Sequence, residues 1–102
     1  MSTRQKYLVS AFILGTLGFG TAAHAVVVKD CQVTITHSSC SAFCESRAET
    51  LAKNCAIERC EYASAMNGGS GQCYVTNSDS WNYVLSYDAV RRFVGTAVAR
   101  EQ

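Results

Sequence analysis

Cys31, Cys40, Cys44, Cys55, Cys60 and Cys73 are all the cysteines of the chain, and all lie in its middle. An even set in so short a sequence reads as a disulfide framework, the usual way a small exported domain is stabilised. The pairing stays open at this level. The competing reading is a metal site built from Cys40-x3-Cys44 and Cys55-x4-Cys60. Neither spacing is the C-x2-C knuckle of zinc sites, so bridges are expected and no metal or cofactor.

The start of the chain points to the compartment such bridges need. Met1 to Lys6 carries two cations, Arg4 and Lys6, and no acid. An apolar stretch runs from Tyr7 to Phe19, too short for an ordinary spanning helix, which takes about 20 apolar residues. Ala23-His24-Ala25 is a small-residue A-x-A exit. A basic start, a short apolar centre and such an exit are the parts of a secretory signal in their proper order. Residues 1–25 are therefore expected to be removed, leaving residues 26–102 as one mature domain in the periplasm or outside the cell. An A-x-A signal of this kind suggests a bacterial source. No cysteine stands at residue 26 to take a lipid, and no transmembrane segment is expected after residue 25.

Removal of residues 1–25 from the 102 leaves 77 residues, with seven cations against eight acids. A domain of this size buries a limited share of its surface. A balance near neutral supplies no basic field for nucleic acid or an anionic membrane.

Residues 31–37 alternate apolar and polar and predict a half-buried strand with Cys31, Val33 and Ile35 inward. Residues 41–55 predict a helix with Cys44, Ala48, Leu51, Ala52 and Cys55 on one face. Ser39 or Ser41 could cap it, or Ser46-Arg47-Ala48-Glu49 could start it later as a capping box. In a continuous helix Cys44 and Cys55 stand about 16 Å apart along the axis. That is beyond disulfide reach, so each must fasten the helix to something else.

Residues 59–65 predict a second strand and 66–71, with three glycines, a loop. Residues 72–77 and 81–87 predict two further strands, with a turn at Asn77-Ser78-Asp79-Ser80 and with Trp81, Tyr83, Leu85 and Tyr87 on one face. Residues 89–100 predict a closing helix, capped by Asp88, whose stripe is Val90, Phe93, Val94, Ala97 and Val98. The expected fold is a two-layer α+β disulfide-stabilised domain. Its order is strand, helix, three strands, helix, with an antiparallel sheet covered by helices on one face.

No residue set declares an activity. His37 is the one histidine of residues 26–102. There is no G-x-S-x-G elbow, and six paired cysteines leave no free thiol for a Cys–His couple. The acids Glu45, Glu49, Glu58 and Glu61 alternate with Arg47, Lys53 and Arg59 as on a solvated helix face. Cys40 and Cys44 lie near a helix N-terminus, where a thiolate is stabilised. Their spacing has one residue more than the C-x-x-C of disulfide oxidoreductases.

The most suggestive set is aromatic: Tyr62, Tyr74, Trp81, Tyr83 and Tyr87. Tyr and Trp serve binding surfaces well, yet a small core also needs them. Most are expected to be packed, with Trp81 the best candidate for exposure. The expected contact residues are Trp81 and Tyr83, with Asn67, Gly68 and Gly69 in the glycine loop.

The reading is a small exported non-enzymatic binding protein of inhibitor, immunity or envelope accessory type. Its partner would be another protein or an envelope component. The alternatives are a thiol–disulfide redox protein using Cys40 and Cys44, and a structural secreted protein with no discrete site.

Overall fold

The computed structural model describes residues 24–102; the basic start, the apolar centre and Ala23 of the expected signal lie outside the described residues. Strand β1 spans Val28–Thr36, helix α1 Cys44–Met66, strand β2 Cys73–Val84 and strand β3 Arg91–Glu101. One 3-10 turn, His37–Ser39, follows β1. The three strands form one antiparallel sheet in the order β1-β3-β2. A single helix covers one face of it, so the domain is α+β in two layers as expected. Among the described residues no helix is long and apolar enough to cross a membrane.

Strand β1 presents Cys31 buried and Val33 and Ile35 half-buried, as the alternation predicts. The helix starts at Cys44, after Phe43 in the left-handed region (φ 56°), and no side chain caps it. The capping-box acid Glu49 is engaged elsewhere: it accepts hydrogen bonds from Ser78 and Ser80 on β2.

The helix does not stop at residue 55 but continues to Met66. Its buried face is Cys44, Ala48, Ala52, Ala56, Cys60 and Ser64, every fourth residue. Residues 59–65, expected as a strand, are the last turns of this row. The alternation of Cys60 and Tyr62 was incidental, and nothing before Gly68 breaks a helix. The end is a Schellman motif: Gly69 N–H bonds Ser64 C=O (2.7 Å) and Gly68 N–H bonds Ala65 C=O (3.2 Å). Gly68 holds the left-handed φ of 76° that the motif needs.

The expected turn at 77–80 is absent, and β2 runs through it with a bulge between Val75 and Asn77. The polar residues that read as a turn are accommodated by position. Ser78 and Ser80 reach the helix carboxylate of Glu49, while Asn77 and Asp79 lie on the other face. Residues 89–100, expected as a helix, form β3 instead. This is the central strand, and with Val94 buried on one face and Gly95, Ala97 and Ala99 on the other the clean alternation of a half-buried strand is lost. A near-continuous apolar run of that kind is ambiguous between the two structures. Asp88 caps no helix; it accepts from Val90 N–H (3.0 Å) in the β2–β3 connection.

All six cysteines are bridged: Cys31–Cys55, Cys40–Cys44 and Cys60–Cys73. Cys44 and Cys55 do not meet, as the helix length requires. Cys31–Cys55 ties the helix to β1 and Cys60–Cys73 ties it to β2. Between them lies a core of small groups: Ala52, Ala56, Ala97 and Ala99 with the cystine sulfurs. Gly95 of β3 faces the helix backbone at Ala48, where even a methyl group would collide. Helix and sheet therefore approach closely here, with no room between them at Gly95 for even a small side chain.

Candidate functional site

That close approach decides where the aromatic side chains go. Gly95, Ala97, Ala99 and Glu101 face the helix. Alternation then places Arg92, Val94, Thr96, Val98 and Arg100 on the open face of the central strand. Register adds the flanking strands. Trp81 lies opposite Val94, Tyr83 opposite Arg92 and Tyr74 opposite Arg100. On the other side Thr34 lies opposite Val94, Thr36 opposite Arg92 and Val28 opposite Arg100. The bulge at Val75/Asn77 shifts the phase of β2, which keeps Tyr74, Trp81 and Tyr83 on one face although 74 and 81 differ in parity.

The expectation that most of the aromatic residues are packed does not hold. Trp81 is 42% exposed, Tyr83 39%, Tyr74 44%, Tyr62 70% and Tyr87 81%. Tyr62 projects from the helix, and Tyr87 lies in the β2–β3 connection. Val94 is the exception on the open face: set between Thr34 and Trp81, it is 2% exposed and forms the floor of the patch. The charges here are nearly balanced. Asp88 holds Arg92 at 2.6 Å. That hydrogen bond keeps the Asp88 carboxyl at about 2, well below its ordinary range, and raises the guanidinium in turn.

Asn67, Gly68 and Gly69 do not join this patch. They sit beside the start of β2, and Trp81 lies eight residues along that strand from Cys73, about 26 Å away. Asn67 and Gly68 belong to the helix cap. Gly69 is half-buried against a polar cluster that sequence reasoning missed. There the Glu101 carboxylate, 4% exposed, accepts hydrogen bonds from Ser64 Oγ, from Val27 N–H (3.2 Å) and from His24 Nε2 (2.9 Å). The Ser64 hydroxyl first, then the Val27 amide and His24, outweigh burial and hold Glu101 at about 2, below the ordinary carboxylate range. A side chain at Gly69 would collide with Glu101 and Ser64.

Serine, histidine and glutamate here do not make a hydrolytic triad. In a triad the imidazole stands between hydroxyl and carboxylate and takes the hydroxyl proton. Here the carboxylate stands in the middle and both other groups end on it. Ser64 Oγ is fully buried, donates to the carboxylate and accepts from Gly71 N–H (2.9 Å). The cluster is a clasp between helix end, β3 and the segment leading into β1. No residue could have revealed it as a motif, since its members are 24, 27, 64, 69 and 101.

His37, at the end of β1, is exposed, with its ring 6.4 Å from that of Phe93. Cys40 and Cys44 are bridged at the helix start and both are buried, at 6% and 5% exposure. Thiol exchange needs an accessible sulfur, so this placement works against the redox alternative. Among the described residues no three His, Cys, Asp or Glu side chains are placed to hold a metal ion. Three disulfides in so small a domain suit an oxidising compartment. Comparison with protein-family models, with curated proteins and with solved structures finds no match to this chain.

Proposed function

We propose that the chain is exported by removal of residues 1–25 and acts as a non-enzymatic binding module, with the open face of its sheet as the contact surface. One observation carries this. Three exposed aromatic side chains, Tyr74, Trp81 and Tyr83, stand in register with Arg92 and Arg100 on a face that no other part of the described chain covers. Trp, Tyr and Arg are the residues that concentrate binding energy at protein interfaces. Val94 and Val98 give the patch an apolar floor, and Asp30, Asp79 and Thr96 a polar surround. The strands hold these side chains rigid, which lowers the entropy lost on contact. A protein partner fits this mixed surface better than nucleic acid does, because Arg92 is already paired with Asp88, and Asp30 and Asp79 offset the charge of Arg100.

The test is capture from an envelope extract of the source organism on immobilised protein. Wild type and Tyr62→Ala, altered on the helix, should retain the same species. The double variant Trp81→Ala/Tyr83→Ala should lose it while keeping its circular dichroism spectrum and its three bridges. Equal retention by the double variant would refute the surface.

A further inference from the structure

Glu101 carries a consequence for processing. Its carboxylate is buried at the end of the central strand, and the His24 ring stands 2.9 and 3.1 Å from its two oxygens as a hydrogen-bond partner. His24 lies on the far side of the expected cleavage point between Ala25 and Val26, so removal of residues 1–25 removes that partner. A buried carboxylate that loses a hydrogen-bond partner is left under-satisfied, which is costly.

The same cut creates a replacement in the same place. Val27 is clasped to Glu101 in both directions: its N–H donates to Oε1 (3.2 Å), and its carbonyl accepts from Glu101 N–H (2.9 Å). Backbone geometry keeps the nitrogen of Val26 within about 3.7 Å of that of Val27. Before the cut the Val26 nitrogen is an amide. Afterwards it is an ammonium with three donors, at the end of a freed chain, where the uncut chain has a surface concavity lined by His24 and Ala25 together with Val26, Val27, Ala63 and Asn67. The Val26 nitrogen thus lies within about 7 Å of the Glu101 oxygen that His24 leaves, a gap the freed end can close by rotation.

We infer that the new α-ammonium of Val26 docks on the Glu101 carboxylate in place of the His24 ring, so that Glu101, Ser64 and Gly69 form a built-in receptor for the mature N-terminus. The inference rests on the cleavage reading above. Other charged groups at this end are Glu61 of the helix, whose carboxylate accepts from Cys73 N–H (3.3 Å), and Lys29 of β1, which borders the concavity. Glu61 adds to the negative field there. Among the described residues Lys29 is the side-chain cation that borders this concavity and would compete. Gly69 has to lack a side chain because any would fill the receptor.

The experiment uses the protein as exported. Intact mass of the purified, oxidised product comes first. A first residue other than Val26 overturns the cleavage reading and this inference together. With Val26 first, the α-amine is labelled with a limiting amine-acetylating reagent at pH 7.5, and its extent is compared with that at Lys29 and Lys53 by peptide mapping. An ordinary α-amine titrates near 8. Pairing with Glu101 should raise that by about one unit, and labelling should fall about tenfold relative to Glu101→Gln. A chain processed one residue earlier, starting at Ala25, serves where Glu101→Gln does not fold; its α-amine should label at the ordinary rate. Equal labelling of the α-amine in wild type and in the control overturns the inference and leaves the cleavage reading standing. Protection of Lys29 instead of Val26 also overturns it.

Discussion

Replacing Gly95 by alanine adds one methyl group at the closest approach of the two layers. That methyl would point at the backbone carbonyl of Ala48 and the amide nitrogen of Glu49, well inside contact distance for both. The neighbour is a helix backbone held on either side by Cys40–Cys44 and Cys31–Cys55, so no flexible tip can swing away. The helix has to lift as a body or β3 has to sink. Overpacking of this kind costs about 1–3 kcal/mol, and rigid surroundings put Gly95→Ala at the upper end. Against this, losing a glycine from the unfolded chain contributes about 0.4–1 kcal/mol in the other direction. The net is about 2 kcal/mol of destabilisation, which in a domain of this size lowers Tm by about 8–16 °C. Gly68→Ala is the reference: its φ of 76° is strained for alanine, but its surroundings are open, so its loss reports the left-handed backbone alone. Thermal unfolding of the oxidised proteins, followed by far-ultraviolet circular dichroism, reads both. A Tm for Gly95→Ala within about 2 °C of wild type would refute the seating of the helix over β3.

Two further outcomes follow from the bridges and from the buried acid. In the chain-entropy account, removing the pair Cys31/Cys55, separated by 24 residues, costs about 3.5 kcal/mol, Cys60/Cys73 about 3 and Cys40/Cys44 about 2. Urea unfolding of the three double-serine variants should reproduce that order, and a Cys40/Cys44 variant less stable than the Cys31/Cys55 variant would contradict it. Glu101 is held at about 2 in the folded protein against 4.5 ordinarily, so its contribution is full above about pH 4.5 and fades as pH falls towards 2. Wild type should accordingly lose its Tm advantage over Glu101→Gln across that window, and a difference that stays constant down to pH 2 would exclude the carboxylate as its source.

Part of this fold is legible in the sequence, and the division has a physical cause. Strand β1 and the first half of α1 read correctly because each has one buried face and one wet face, so period 2 and period 3.6 stand out; the exception is Leu51, expected inward, which is 38% exposed. The exclusion of a Cys44–Cys55 bridge follows from helix rise alone. The last turns of α1 were hidden because the buried row is made of Ala, Cys and Ser at every fourth residue, and these small residues leave little hydrophobic contrast. Strand β3 was hidden because it is central: Val94 is buried on one face, and Gly95, Ala97 and Ala99 on the other. Its apolar residues then fall at spacings a helix also satisfies. The polar run from Asn77 to Ser80 was misleading because its serines are satisfied by Glu49, a partner 29 and 31 residues away in sequence. The clasp on Glu101 depends wholly on tertiary placement.

The small core and the aromatic outer face are two sides of one arrangement. A methyl group on the helix facing a methyl or hydrogen on the strand brings the layers together, and each buried alanine then contributes far less than the roughly 1.5–3 kcal/mol of a buried Leu, Ile or Phe. The shortfall is offset covalently: two of the three bridges link helix to sheet, at Cys31–Cys55 and Cys60–Cys73, and each disulfide typically supplies about 2–4 kcal/mol. With cohesion supplied in this way, the interior from Gly95 to Ala99 has neither space nor need for rings, and Phe93 sits at its end. The sheet's Trp and Tyr residues are left to its other face, where only Val94 is covered. Rings that the fold does not use for its own core, held in register on a strand pair that cannot flex, are what a contact surface requires. Enlarging the interior, as with Ala97→Val or Gly95→Ala, should therefore cost stability without disturbing the patch. Truncating Trp81 should do the reverse.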